Sequence, residues 1–125
     1  MVSLKLIYIA GAYNGPNIIP CLDNMRRGQK LAYDVLKAGY SPFCCFFDYH
    51  FSLIGETSIE EYYRYSMDFL KVCDAVLVVP ENHETSVGTQ NELKVARSLG
   101  IPIFMSLDEL ISYDKLINEN IKELK

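Results

Sequence analysis

Two short apolar runs constrain most strongly what this chain can fold into. Leu4–Ala10 is interrupted only by Lys5 and ends at Gly11, and Ala75–Val79 is rich in β-branched residues and is closed by Pro80. Apolar runs of this length, bounded by glycine or proline, are typical of strands buried on both faces. Since both faces of such strands need a cover, the runs predict a parallel sheet with helices packed on each side.

The stretches between these runs have the apolar spacing of amphipathic helices. The first begins at Asn17 or Pro20 and stops at Gly39. The second begins at Ser58, and Glu61 three positions later gives the spacing of a capping box. Strands therefore alternate with helices along this part of the chain.

Two further strands and further helices complete the alternation. Tyr40–Phe47 and Ile101–Met105 predict the strands, Ser86 begins a third helix, and the chain from Leu107 onward predicts two short helices broken near 112–114. This order predicts an α/β fold with a Rossmann-like or flavodoxin-like parallel sheet of about four to five strands and helices on both faces. We expect the whole chain, residues 1–125, to form one such domain.

The composition excludes several classes of partner. The 125 residues carry a formal net charge of −4, and no run of basic residues offers a footprint for a nucleic-acid backbone. No apolar stretch approaches the roughly 18 residues needed to span a bilayer, and the first residues lead into a strand rather than a signal sequence. We therefore expect a cytoplasmic protein that has neither a nucleic-acid polymer nor a membrane as its partner.

The cysteines do not have the spacing of a metal site. No Cys-x-x-Cys pair occurs among Cys21, Cys44, Cys45 and Cys73. We expect reduced, mostly buried thiols rather than zinc ligands or disulfides. The two histidines, His50 and His83, stand alone in predicted loops, so each is expected to be solvated and no metal is predicted.

Ligands of an open parallel sheet bind beyond the carboxyl ends of its strands, where the strand order reverses. The segment after the first strand lies there and consists of Gly11, Ala12, Tyr13, Asn14 and Gly15. It lacks both the GxGxxG pattern of dinucleotide binders and the ending of a P-loop, so neither NAD nor ATP, nor any other cofactor, is indicated. It is either a plain turn or a loop whose backbone packs against a ligand.

The segment from Ser86 to Glu92 lies at the same edge of the predicted sheet and begins a helix. Backbone N–H groups and the helix dipole favour an anion such as phosphate at such a position. Ser86 can donate a hydrogen bond, Gly88 lets a ligand approach the backbone, and Glu92 lies one turn further on the same face. A serine N-cap and an early helical acid are also routine structural features, so the local pattern leaves both readings open.

Four motifs follow one another along residues 4–105. They are Lys5-Leu6-Ile7-Tyr8-Ile9-Ala10-Gly11-Ala12-Tyr13, Cys73-Asp74-Ala75-Val76, Ser86-x-Gly88-x-x-x-Glu92, and Ala96 through Gly100-Ile101-Pro102-Ile103. In this order they resemble the nucleoside 2-deoxyribosyltransferase superfamily, and they are also similar to the 2′-deoxynucleoside 5′-phosphate N-hydrolases. The resemblance implies an enzyme that cleaves or transfers an N-glycosidic bond, and a homodimer or higher homo-oligomer.

The resemblance also assigns roles to individual residues. It implies that Glu92 is the nucleophile that attacks the anomeric carbon and that Tyr8 orients it. Family transferases have an aspartate six residues before this glutamate, at the sugar 5′-hydroxyl, whereas the N-hydrolases have a serine that contacts the 5′-phosphate. Ser86 stands there in this chain. The expected substrate is therefore a (2′-deoxy)nucleoside 5′-monophosphate, held by Ser86 together with Gly11, Ala12, Tyr13, Asn14 and Gly88.

The chain departs from the superfamily pattern at one position. The family often has an aspartate eight residues before the position of Asp74, where it handles the nucleobase, but Ser66 stands there and the nearest carboxylate is Asp68. Two residues along a helix correspond to about 200° of rotation. We expect Asp68 to be the third catalytic residue if the helix shifts locally. Weaker candidates for the acid are Glu60, Glu61, Asp48 and His50.

Two other functions stay open. Because Ser66 stands where the family often has an aspartate, the chain could hold a nucleotide or an ADP-ribose-like ligand without converting it to products. Gly88-Thr89-x-x-Glu92 also resembles part of the GGxGTxxE motif of cytokinin-activating phosphoribohydrolases, although the first two glycines of that motif are missing here.

Overall fold

The computed structural model describes residues 3–12, 16–44, 51, 53–81 and 83–124. Four strands alternate with four helices in the order β1 (Leu6–Ala10), α1 (Ile18–Lys37), β2 (Ser41–Cys44), α2 (Ile59–Leu70), β3 (Ala75–Val78), α3 (Val87–Ser98), β4 (Ile103–Phe104) and α4 (Leu107–Leu124). The strands pair in parallel in the order β2-β1-β3-β4. The predicted α/β fold with a Rossmann-like or flavodoxin-like sheet is confirmed.

The helices cover the sheet as two cores, one on each face. One core joins alternate strand residues to α1 and α4 and includes Ile7, Ile9, Ala75, Leu77, Ala32, Val35 and Leu110. The other joins the intervening strand residues to α2 and α3 and includes Tyr8, Ala10, Val76, Val78, Met67, Leu70, Leu93 and Ala96. Successive side chains of a strand point to opposite faces of the sheet. Because helices cover both faces, the central strands are apolar throughout.

Side chains cap the starts of the four described helices, and at α4 Ser106 Oγ accepts from the Glu109 N–H over 3.2 Å. Asn17 accepts a hydrogen bond from the backbone N–H of Ile19 over 3.0 Å. Ser58 and Glu61 form the reciprocal capping box that the sequence predicts, and Ser86 is the N-cap of α3. Each cap satisfies N–H groups that have no partner within the helix.

The C-terminal region differs from its prediction. A single helix, α4, runs through the expected break near 112–114, so that part of the prediction is wrong. Asp114 faces inward and is buried; it accepts hydrogen bonds from the Leu4 N–H over 3.0 Å and from the Tyr40 hydroxyl over 2.8 Å. Burial, together with Asp114, raises the pKa of Tyr40 to about 12. The polar residue that suggested a break is instead a tertiary contact of a continuous helix.

A second carboxylate holds the beginning of β1. Asp74 accepts hydrogen bonds from the backbone N–H groups of Lys5 and Leu6, over 3.0 and 2.9 Å. Asp74 therefore has a structural role at the junction of α2 and β3. Together with Asp114, it fixes the start of β1 at the edge of the sheet opposite to the carboxyl ends of the strands.

Some predictions fall partly outside the described residues. The strand predicted over Tyr40–Phe47 is observed as β2, and positions 45–50 are not described. Cys44 and Cys73 are buried and Cys21 is half-buried, and none of these three is in a disulfide. Within the described ranges, no helix is both long and apolar enough to cross a membrane.

Candidate active site

The strand order reverses between β1 and β3, so the crevice beyond the carboxyl ends of these two strands is the expected ligand position. Gly11 and Ala12 follow β1 there, and Val79 follows β3. The Val79 N–H donates to the Ala10 carbonyl over 2.7 Å, which extends the pairing of the two strands to this edge. The chain after β3 then leads to the start of α3.

Gly11 must be a glycine because any larger residue would collide with a neighbouring side chain of the same protein. A Cβ atom at this position would lie 2.6 Å from the Cβ of Val79, closer than side-chain carbons can approach. Both Gly11 and Ala12 are buried, while Tyr13, Asn14 and Gly15 lie outside the described residues. The packing of β1 against Val79 thus explains this glycine, and substrate binding by the segment stays a prediction.

The start of α3 is open. Ser86 Oγ accepts hydrogen bonds from the Thr89 N–H over 3.2 Å and from the Thr89 hydroxyl over 2.9 Å. Val87 is exposed, and a Cβ atom built on Gly88 would meet no other residue within 4 Å. An anion can therefore approach the backbone of this first turn, where the helix dipole is favourable to negative charge.

Glu92 is the buried acid of this region. Its side chain lies on α3, one turn after Gly88, and the residue is only 8% exposed. Its Oε2 atom is buried with no hydrogen-bond partner in the part of the chain that the structure describes. Burial raises the pKa of Glu92 to about 8, and a hydrogen bond with Tyr8 acts in the opposite direction. A buried carboxyl with a strongly raised pKa at a ligand crevice is typical of a functional group.

Tyr8 reaches Glu92 from the sheet. It is fully buried on β1, on the face that α2 and α3 cover. Its ring lies 5.6 Å from that of Phe43, which is its register partner on β2. β1 thus places the Tyr8 hydroxyl at the Glu92 carboxyl group of α3. Two of the three predicted catalytic residues, Tyr8 and Glu92, are brought together.

Asp68, the third predicted catalytic residue, does not share the buried surroundings of Tyr8 and Glu92. It is exposed on α2, whereas Ser66 is buried. α2 is an uninterrupted helix, so the two side chains remain about 200° apart and no local shift turns Asp68 inward. Of the weaker candidates, Glu61 accepts a hydrogen bond from the Ser58 N–H in the capping box and Glu60 is exposed. Asp48 and His50 lie outside the described residues.

For the N-glycosidic cleavage that the resemblance implies, we expect Asp68→Asn to change the rate of base release by less than about threefold. Asp68 projects from the exposed side of α2, away from the side that carries the buried Ser66, so it is not placed to protonate a base held beside Glu92, whereas loss of a general acid costs about 10²-fold or more. Ser66→Asp, which places a carboxyl on the buried side of the same helix, is the companion variant, and it is expected to raise the rate. Chromatographic measurement of free base from both variants checks this, and a hundredfold loss in Asp68→Asn would return Asp68 to the site.

Aromatic residues of α2 form a cluster that the sequence did not indicate. The Phe43 and Phe69 rings stack with centroids 4.3 Å apart, and Phe51 meets Tyr65 edge-on at 5.6 Å. Phe51 and Tyr65, together with Tyr62, also line a cavity of about 390 Å³. The spacing of Tyr62, Tyr65 and Phe69 resembles any buried helical stripe, so it gave no separate signal. Of the aromatic residues Phe46, Phe47, Tyr49 and Phe51, which precede α2 in the sequence, only Phe51 is described.

His83 also differs from expectation, because its side chain is largely buried rather than solvated. Its carbonyl accepts a hydrogen bond from Gln90 Nε2 over 2.9 Å, which ties the loop to α3. Its Nδ1 atom is buried without a hydrogen-bond partner among the described residues. Over those same residues, no group of three histidine, cysteine or acidic side chains is placed to hold a metal ion.

Comparison with known proteins gives the family and supports the fold. A solved structure of 2-deoxyribosyltransferase from the psychrotolerant bacterium Bacillus psychrosaccharolyticus matches with a TM-score of 0.55 and 18% sequence identity, over 79% of this chain and 69% of that chain. This likeness confirms, at the level of the fold, the resemblance that the four motifs indicate. No curated protein matches the sequence. The family model described as "Domain of unknown function (DUF4406)" matches residues 5–105, and the chain therefore belongs to the DUF4406 family.

Proposed function

We propose that this protein cleaves or transfers the N-glycosidic bond of a (2′-deoxy)nucleoside 5′-monophosphate, with Glu92 as the nucleophile. The observation that carries the proposal is the buried carboxyl of Glu92, which contacts Tyr8 and has one oxygen without a partner among the described residues. An unpartnered buried oxygen costs folding free energy, and a role in chemistry explains why it is kept.

The proposed chemistry uses this carboxyl directly. Glycosidic cleavage passes through an oxocarbenium-like state, which an adjacent carboxylate stabilises and captures. Glu92 first loses its proton to water, and its Oε2 atom then forms a bond to the anomeric carbon as the bond to the base nitrogen breaks. The base leaves with that electron pair and takes up a proton from water. Water then releases the sugar phosphate in a hydrolase, or a second base takes the sugar in a transferase. Tyr8 holds the carboxyl in place through its hydrogen bond.

The open start of α3 supports a monophosphate as substrate. The Ser86 hydroxyl and the backbone near Gly88 offer hydrogen-bond donors to an anionic oxygen, and the helix dipole adds to the attraction. A carboxylate at position 86 would repel a phosphate. The homo-oligomer implied by the resemblance stays a prediction.

Replacing Ser86 with aspartate is expected to lower kcat/KM for a 5′-monophosphate at least tenfold, because two negative groups would then face each other. Use of the matching nucleoside should fall much less. The measurement compares kcat/KM for a matched nucleotide and nucleoside, and Ser106→Asp at the start of α4 is the control, since Ser106 Oγ also caps a helix, accepting from the Glu109 N–H. Better use of the nucleoside than of the nucleotide by the parent protein would show that no phosphate site exists.

A non-catalytic role is the second candidate, and the position of Asp68 favours it. With Asp68 exposed and Ser66 buried, α2 supplies no inward-facing acid at these two positions. The protein would then hold a nucleotide or an ADP-ribose-like ligand at the start of α3. Incubation with a panel of nucleotides separates the two functions, because binding without release of base selects the binding protein.

A further inference from the structure

Thr89 makes a contact that the proposed chemistry has not used. It lies in the first turn of α3 and is only 1% exposed. Its hydroxyl and its backbone N–H both lie against one atom, Ser86 Oγ, at 2.9 and 3.2 Å. The backbone contact is an ordinary N-cap, but the hydroxyl contact adds a second hydrogen bond to the same oxygen.

The burial of Thr89 decides the direction of that second bond. Two hydroxyl groups in contact can donate either way. Among the described residues, however, the Thr89 hydroxyl has no other acceptor, so donation from Ser86 would leave the Thr89 hydrogen buried and unsatisfied. Such burial is costly, and Thr89 is therefore the donor. The Ser86 hydrogen is then directed away from Thr89, and Ser86 is only partly buried.

We propose that Thr89 is a positioning residue that sets substrate selection by making Ser86 a hydrogen-bond donor toward the ligand. The inference rests on the proposed function, which puts a 5′-phosphate at Ser86. A hydroxyl held as a donor favours an acceptor, and an O–H···O⁻ bond to a phosphate is roughly twice as strong as a bond to a neutral oxygen. Thr89 thus favours the 5′-monophosphate over the nucleoside with its neutral 5′-hydroxyl, without touching either.

The test replaces Thr89 with valine, which keeps the shape and removes the hydroxyl. Thr89→Ser retains the donor, and Ser98→Ala removes a hydroxyl at the far end of the same helix, where it donates to the Val95 carbonyl over 2.7 Å. Binding of the four 2′-deoxynucleoside 5′-monophosphates and the four matching nucleosides is measured by calorimetry in the Glu92→Gln background, so that no ligand is consumed. In the otherwise unchanged protein, KM and kcat are measured for the pair that binds best.

In Thr89→Val, we expect the ratio of monophosphate affinity to nucleoside affinity to fall about tenfold, with the loss in KM rather than in kcat. Thr89→Ser and Ser98→Ala should keep the ratio within about twofold. An unchanged ratio in Thr89→Val, or failure of Thr89→Ser to retain it, would reduce Thr89 to a helix cap and overturn the inference. If thermal melting shows that Thr89→Val does not fold, Thr89→Ala is judged by the same ratio.

The unsubstituted protein is measured first, which separates the two proposals. If it shows no preference for the monophosphates, the phosphate site of the proposed function fails and the role of Thr89 fails with it. If it prefers them while Thr89→Val keeps the same preference, only the role of Thr89 is overturned.

Discussion

Glu92→Gln and Glu92→Ala are expected to lower the rate of base release by several powers of ten, because no other group replaces a lost nucleophile at the same place. Glu92→Gln should fold, since glutamine keeps the size of the buried side chain and an oxygen for the hydrogen bond with Tyr8. Free base is measured by chromatography and folding by thermal melting. Glu119→Gln, at an exposed position of α4, is the matched control and should keep the parent rate.

The two Glu92 variants report on different properties. Glutamine keeps the shape and the hydrogen-bonding oxygen but cannot form the bond to the sugar, whereas alanine also removes the packing. A rate within about threefold of the parent in either variant would remove Glu92 from the chemistry. Loss of base release with retained binding of nucleotide is the result that the proposed mechanism requires.

Glu92→Gln is also expected to stabilise the protein at alkaline pH relative to the parent. Burial raises the pKa of Glu92 from an ordinary 4.5 to about 8. Between these values the folded protein binds a proton that the unfolded chain has lost, so the free energy of unfolding falls as the pH rises. The loss is complete above about pH 8, where it reaches at most about 5 kcal/mol. Glutamine does not titrate and should show no such loss.

Urea denaturation of both proteins from pH 5 to pH 9 measures this difference. The window ends below the titration of Cys73 and Tyr40, whose pKa values are raised to about 11 and about 12. The gap between parent and Glu92→Gln should widen as the pH increases and become constant above about pH 8. If the free energies of unfolding of the two proteins instead follow the same pH dependence, the Glu92 carboxyl of the folded protein titrates in its ordinary range.

The sheet could be predicted because its signals are local. A strand buried on both faces must be apolar throughout, and a helix start needs a cap, so β1, β3, Ser58 and Ser86 were all identifiable from a few adjacent residues. The break expected near 112–114 was wrong because Asp114 meets Tyr40 and Leu4, which are distant in sequence. A tertiary contact of this kind leaves no local pattern.

Less of the candidate site than of the sheet could be predicted from local sequence patterns. Their place after a strand made Ser86 and Glu92 candidates but left a routine structural reading open. The roles of Glu92 and Tyr8 came from resemblance, because a tyrosine in an apolar run otherwise indicates only core. Helical geometry showed that Asp68 and Ser66 cannot both face inward, and only the packing of α2 shows that Ser66 does. The burial of His83 had no sequence signal, since a polar loop normally indicates solvent.

The carboxylates that hold the start of β1 also bear on how the chain folds during synthesis. β1 is made before the other described strands, yet the hydrogen bond from the N–H of Leu4, just before this strand, to Asp114 joins residues 110 positions apart, and its neighbour β3 is made long after it. β2 can pair with β1 early, but the second edge of β1 stays unpaired until β3 is made, a period in which an exposed strand edge is prone to aggregate. Folding can be completed only after the first half of α4 has emerged, so a nascent chain stalled before residue 114 should still depend on chaperones.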